Sequence, residues 1–231
     1  MWKYSVFAKN LRLTKPFFEK AGVKQPKYGE VLRNLLCDAF DFVFRHPKPS
    51  NPLPILEEMN RGGIILTAHY GNHELFGFKL AESGLPLNAS VQEQKPKFFD
   101  MWLQKKRTFN GKCFAKKIEP EHLIDFIDKG GLFGLIADQN FKKLPPHSIR
   151  EKCEGEFLGV KVRCNPLPAF ILKHRPQTPV FCGYLGQIKK IPSENFYAHY
   201  HSWLENLILE NPARWYGWFH NRFNADLVRV N

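Results

Sequence analysis

Hydrophobic and polar positions alternate along the chain in two distinct rhythms. Between Tyr28 and His46 the residues Leu32, Leu35, Leu36, Phe40 and Val43 recur at three- and four-residue steps, which predicts an amphipathic helix. Continuous apolar runs bounded by glycine or proline predict buried strands at 63–68, 132–137 and 179–185, with a further strand near 87–91. Between them lie helical stretches: from an Asn72 N-cap to about Ala81, from about Pro96 to Phe109, over 123–128, over 166–174 and over 195–218. Residues 140–156 are polar, with a Pro145-Pro146 pair, and read as a long surface loop. Strands alternating with helices predict an α/β fold with a mixed, largely parallel sheet flanked by helices.

The opening segment breaks this rhythm. Trp2, Tyr4, Phe7, Leu11, Leu13, Phe17 and Phe18 are interleaved with Lys3, Lys9, Arg12 and Lys15. Such a mixture suits a bilayer interface, with rings at headgroup level and cations on lipid phosphates. It suits equally an arm packed on the domain. Pro16 is expected to interrupt any continuous helix here. The Pro-rich stretch 47–54 is too short to separate domains. Residues 1–54 are therefore read as a basic arm and helix of the same domain, and 55–231 as its core.

Charge sharpens the picture. The 231 residues carry 34 Lys+Arg against 22 Asp+Glu, a net +12. Residues 1–27 hold seven basic residues and one acid, and residues 95–117 hold eight and one, so the rest of the chain is near neutral. Two basic segments on a neutral body predict an acidic partner: anionic lipid, an acidic carrier protein or nucleic acid. No recognised nucleic-acid motif accompanies them, so nucleic acid is the least favoured. Composition is 43% apolar and 24% charged, which excludes a disordered or low-complexity chain. Five cysteines with no CxxC spacing argue against a disulfide framework or a four-thiolate zinc site. No run of about 20 apolar residues predicts a spanning helix, and no secretory signal is evident.

Candidate chemistry falls where strands end. His69 and Asp138 each follow a buried strand directly, at the edge where α/β sheets place ligands. Glu74 lies five residues beyond His69. With His69 in the turn and Glu74 in the first helical turn, the carboxylate could reach back to Nδ1. It would then fix the tautomer and leave Nε2 as a general base. A substrate hydroxyl would complete the arrangement in place of a serine. The plainer alternative is a strand-end histidine satisfied by an ordinary polar contact.

The residues from Ile64 to Gly77, containing His69 and Glu74, resemble the HxxxxE block of the bacterial lipid A late acyltransferases, the lauroyl/myristoyl acyltransferase family. Further blocks follow in order: Arg107 to Gly111, Leu123 to Asn140 with Asp138-Gln139, Phe157-Leu158-Gly159, and Trp203 to Phe223 with His220, Asn221 and Arg222. The resemblance covers roughly 60–223. It implies a glycerolipid-acyltransferase-like fold and no cofactor. An acyl carrier protein or acyl-coenzyme A thioester would be the donor and a phosphorylated glycolipid the acceptor. It implies His69 as base, Glu74 as its orienting partner, Gly71 and Asn72 shaping the turn, and Arg107 on a phosphate or the thioester oxyanion. Asp138 and Gln139 would line the acceptor pocket, or simply cap the strand-end turn. The expected location is peripheral, on the cytoplasmic face of the inner membrane, at an anionic lipid surface.

Several features depart from that pattern. The family usually has an aromatic residue in place of His73 and a spanning helix at its N-terminus; the 138–157 loop is longer here, and one Phe rather than two precedes Leu158-Gly159. HxxxH can ligate zinc on a helix, but His69 is expected to precede the helix, so no metal site is assigned. Two other readings stay open: an acyltransferase for a lysophospholipid or other polar lipid, and a basic membrane- or nucleic-acid-binding module.

Overall fold

The structure, a computed structural model, describes residues 2–44, 55–90, 96–110, 112–113, 120–141 and 147–223. The connector 47–54 and the Pro145-Pro146 pair lie outside them. Two helices lead, α1 (Trp2–Ala21) and α2 (Tyr28–Phe44). Strand β1 (Gly63–Thr67), helix α3 (His73–Glu82) and strand β2 (Leu87–Ala89) follow, then α4 (Lys97–Lys106) and the short strands β3 (Thr108–Phe109) and β4 (Lys112–Cys113). Helix α5 (Pro120–Asp128) leads into β5 (Leu132–Ile136). The chain continues through a hairpin of β6 (Glu154–Phe157) and β7 (Val160–Arg163), α6 (Leu167–His174), β8 (Val180–Tyr184), β9 (Gln187–Ile191) and α7 (Phe196–Glu210).

Five strands form one sheet in the order β2-β5-β1-β8-β9. The first four are parallel and β9 pairs antiparallel with β8. It is an α/β fold with a mixed, mostly parallel sheet and helices around it, as the alternating pattern predicts. Each central strand splits its side chains by the two-residue period of a pleated strand. Ile64 and Leu66 of β1, Phe133 and Leu135 of β5, and Val180 and Cys182 of β8 enter the larger core. Ile65, Leu132 and Phe181 enter the smaller one, which Phe76 and Leu80 of α3 cover.

Helix α1 runs unbroken through Pro16. Proline removes one i→i−4 donor and crowds a carbonyl, but tertiary contacts hold the helix. Val6, Phe7, Asn10, Thr14 and Phe18 are buried on one face, Asn10 Nδ2 donates to the carbonyls of Trp218 and His220 at 2.9 Å, and Gln25 Nε2 donates to Leu11 O at 2.7 Å. The phenylalanine rings of this segment face inward: Phe7 and Phe18 pack against Trp218, and Phe17 packs on the same core, while Tyr4 stays exposed. Of the two readings of this segment, its side chains follow the packed arm.

The expected polar loop over 140–156 gives way to the β6–β7 hairpin at Glu154. Its turn places both Leu158 (φ 51) and Gly159 (φ 72) in the left-handed region, the geometry that suits a two-residue hairpin. Leu158 tolerates this because its side chain is fully buried and its N–H donates to Glu205 Oε1 at 2.6 Å. The final helix is shorter than its periodicity suggests. It stops at Glu210, and Asn211-Pro212 opens a strap of 3-10 turns over 212–219.

Candidate active site

Strands β1 and β5 are parallel neighbours in a register that pairs Thr67 with Ile136. The same offset continues past the strand ends, where Ala137 N donates to Thr67 O at 2.8 Å. It therefore sets His69 beside Asp138. His69 Nδ1 meets Asp138 Oδ1 at 2.8 Å, and the His69 backbone N–H donates to Oδ2 at 2.9 Å. The indole Nε1–H of Trp215 also donates to Oδ2, at 2.8 Å. Asp138 and Trp215 are both fully buried.

Three donors converging on one carboxylate determine its state. Burial alone would raise the Asp138 pKa, but the charge and hydrogen bond of His69, with the Trp215 indole and the His69 backbone N–H, hold it well below the usual carboxylate range. Asp138 thus only accepts, so Nδ1 of His69 carries a proton and the neutral ring keeps its lone pair on Nε2. Burial of His69 disfavours its charged form. The Asp138 charge and hydrogen bond, helped by the charge of Glu74, outweigh that and raise its pKa.

The expected orienting partner was Glu74, and here the structure differs. Glu74 sits in the first turn of α3, where Asn72 caps the helix by accepting from Leu75 N at 3.0 Å. Its carboxylate turns toward Arg107, the residue that ends α4. Arg107 Nε donates to Glu74 Oε2 at 2.9 Å and Nη2 donates to Oε1, a two-point pair. Burial works against the Glu74 charge, but these bonds prevail and its pKa is lowered. Asp138, expected to line the acceptor pocket or cap the turn, therefore takes the part expected of Glu74 and orients the imidazole, while Glu74 positions the guanidinium.

Gly71 makes the turn between them possible. Its φ of +59 suits glycine, and a Cβ there would lie 3.1 Å from Arg214 Nη2. The strap over 212–219 clamps this turn from outside: Gly71 N donates to Arg214 O at 2.9 Å, Tyr216 N donates to His69 O at 2.6 Å, and Tyr70 bridges to Trp215. Asp38 of α2 ties in a third element, accepting from Asn72 Nδ2 at 3.0 Å through its carbonyl and from the Tyr216 hydroxyl through its carboxylate.

Two more histidines flank the first. The His73 and His220 rings lie 4.9 and 4.6 Å from that of His69, centroid to centroid. Burial, reinforced by the charge of His69, pushes both pKa values down to about 4. Among the described residues no group of three His, Cys, Asp or Glu could hold a metal ion. Gln139 Nε2 lies 3.4 Å from His69 Nε2, and its own backbone carbonyl accepts from Arg222 Nη1 at 2.8 Å. Arg222 is fully buried. Its charge rests on that carbonyl, on His201 Nε2 at 3.0 Å and on the Phe157 ring at 5.4 Å. Trp215 and Arg222 fell within a resembling block, but nothing in their spacing said that one reaches Asp138 and the other holds Gln139.

His69, Gly71, Asn72, Glu74, Arg107 and Gln139 all line one cavity of about 950 Å³. Asp138 lies behind it. Its other walls come from α2 (Leu35, Asp38, Ala39, Phe42, Val43), from α4 (Phe99, Trp102, Leu103) and from Tyr216 and His220. A smaller apolar cleft of about 60 Å³, lined by Ile65, Phe76, Leu80, Leu87 and Leu135, adjoins it at His73, Glu74 and Arg107. An oriented base with its lone pair toward a large, partly apolar cavity can take a proton from a bound hydroxyl, thiol or water. Comparison with family models and with curated proteins finds no match to this chain.

Proposed function

We propose that this protein is an O-acyltransferase of glycerolipid-acyltransferase-like fold, working at the cytoplasmic face of a bacterial inner membrane. It moves a fatty acyl chain from an acyl-carrier-protein or coenzyme A thioester to a hydroxyl of a lipid A precursor or similar phosphorylated glycolipid. The observation that carries the reading is His69, fixed through Nδ1 on the buried Asp138, with Nε2 at a cavity that also holds a cation in Arg107. No serine or cysteine is hydrogen-bonded to Nε2 among the described residues, so a substrate hydroxyl is the natural proton donor. The apolar side chains that α2 and α4 give the cavity, Leu35, Phe42, Val43, Phe99 and Leu103, support an acyl chain as the group transferred.

Nε2 of His69 takes the proton as the hydroxyl oxygen attacks the thioester carbonyl carbon. The imidazolium so formed is stabilised by Asp138, and negative charge gathers on the carbonyl oxygen. Arg107, held by Glu74 on the cavity wall, supplies a cation near that oxygen or an acceptor phosphate. Collapse forms the ester, breaks the carbon–sulfur bond and passes the proton from His69 to the departing thiolate. The test is incubation of the pure protein with each thioester and a bacterial lipid extract. The expected product is a lipid heavier by one acyl group with equimolar free thiol, both lost in His69→Ala. Its mass also decides between a glycolipid and a lysophospholipid acceptor. Absence of thiol release with either donor, or full turnover by His69→Ala, refutes the reading.

A further inference from the structure

Among the described residues, seven large apolar side chains stand exposed, and six of them lie on two helices. Leu36, Phe40 and Phe44 are 60%, 53% and 70% exposed on α2, and Phe98, Phe99 and Met101 are 75%, 41% and 57% exposed on α4. On α2 they follow the steps 36, 40, 44, one continuous stripe on the side opposite the buried Val31. The helix is thus apolar toward the core and apolar toward solvent, an arrangement that calls for a cover. The two helices are neighbours: Lys106 Nζ of α4 donates to Val43 O of α2 at 3.1 Å. Both wall the large cavity, and Phe99 belongs to cavity and patch alike.

We infer that the outer faces of α2 and α4 are the surface by which this protein seats on an anionic bilayer, so that a lipid enters the cavity between them. The choice of occupant rests on charge. The two helices themselves balance, with Arg33, Lys97, Lys105 and Lys106 against Glu30, Asp38, Asp41 and Asp100, so the charge that selects the occupant comes from the rest of the chain. The outward face of α1 adds Arg12, Lys15 and Lys20 against Glu19, which pairs with Lys15 at 3.5 Å, and α1 adjoins α2 through the Tyr4–Tyr28 ring contact at 5.4 Å. A chain of net +12 is drawn to an anionic leaflet and repelled by a second copy of itself. Phenylalanine rings then sink to the acyl boundary while the lysines remain among the headgroups. The apolar anchor is therefore α2 and α4, and α1 contributes mainly charge, because Phe7, Phe17 and Phe18 are spent on the core and Tyr4 is its one exposed ring among the described side chains. What enters the cavity rests on the acyltransferase reading; the seating itself does not.

The experiment is co-sedimentation of the full chain with vesicles of phosphatidylcholine containing or lacking phosphatidylglycerol. Phe40→Asp with Phe98→Asp, neither of which lines the cavity, should weaken binding to the anionic vesicles at least tenfold. Melting temperature and thiol release from a soluble thioester should stay unchanged. Arg12→Glu with Lys15→Glu should weaken binding several-fold at low salt and little at high salt, the mark of a purely electrostatic contribution. Binding of the double Asp variant equal to that of the parent overturns the inference. So does a stable dimer in solution that this variant dissociates, since the cover would then be a second copy. Vesicle binding that behaves as expected in a protein that consumes no thioester leaves the seating standing and removes the proposed function.

Discussion

Replacing Asp138 with Asn separates the two carboxylates that compete for the orienting role. Oδ2 of Asp138 receives two N–H donors, from the His69 backbone and from Trp215, whereas Oδ1 receives one, from His69 Nδ1. An amide in the same place keeps most hydrogen bonds by turning its oxygen toward the two donors. Its NH2 then faces Nδ1, which must become an acceptor. The proton moves to Nε2, and the lone pair that faced the cavity is lost. A wrong-tautomer base costs about 10³–10⁴ in turnover, equivalent to about 4–5.5 kcal/mol of barrier. Stability falls less, by about 2–3 kcal/mol, because charge-assisted bonds become neutral ones while the packing remains. Two assays read this independently. Nitrogen NMR of labelled histidine reports the tautomer without any substrate, and free-thiol release reports turnover. Glu74→Gln should leave the tautomer alone. If Asp138→Asn keeps Nδ1 protonated, or Glu74→Gln is the variant that flips the ring, the reasoning fails.

Removing the cation by Arg107→Ala leaves Glu74, three-quarters shielded from solvent, facing no guanidinium, and should cost about 3 kcal/mol in urea unfolding; an unchanged midpoint contradicts the pair's geometry. Gly71→Ala forces a β-carbon into the left-handed region beside Arg214 and should cost about 1–2 kcal/mol, with a loss of thiol release that exceeds the loss of stability because His69 shifts with the turn. The pH dependence follows from the signs. His73 and His220, held near 4, together with the buried His201, whose pKa burial and the Arg222 charge also lower, bind protons more readily unfolded than folded. They stabilise fully above their ordinary 6.5 and lose that contribution as pH falls toward 4. Asp138 and Glu74, both depressed, add a second loss below the ordinary carboxylate range. His69, raised, acts oppositely and loses its contribution as pH rises through its folded value. A urea midpoint no lower at pH 4.5 than at pH 7.5 refutes this balance. Turnover, which needs neutral His69, should rise with pH through that raised value, and Asp138→Asn should move any surviving acid limb downward.

Much of the frame was legible without coordinates. Apolar runs between glycines marked β1, β5 and β8, because a strand buried on both faces needs no polar positions. Asn72 announced the start of α3 through capping chemistry local to three residues. The placement of His69 and Asp138 at strand ends followed from the same local signals. The partner of His69 did not, and the reason is register. Two parallel strands 69 residues apart in sequence can slide by steps that leave each strand's own pattern untouched, and only the Thr67–Ile136 pairing decides that Asp138 arrives beside the imidazole. Glu74 looked like the partner because it is near in sequence, yet Arg107 at the end of another helix reaches it first. The N-terminal segment carried the same ambiguity: aromatic rings among lysines read alike whether they meet lipid or a core. Contacts with residues some two hundred positions away, Asn10 with Trp218 among them, turned Phe7 and Phe18 inward. Sequence determined what depends on neighbours along the chain: element types, caps and the edge of the sheet where chemistry collects. Tertiary structure decided what depends on neighbours in space: which carboxylate holds the base, which holds the cation, and which helix faces are left uncovered.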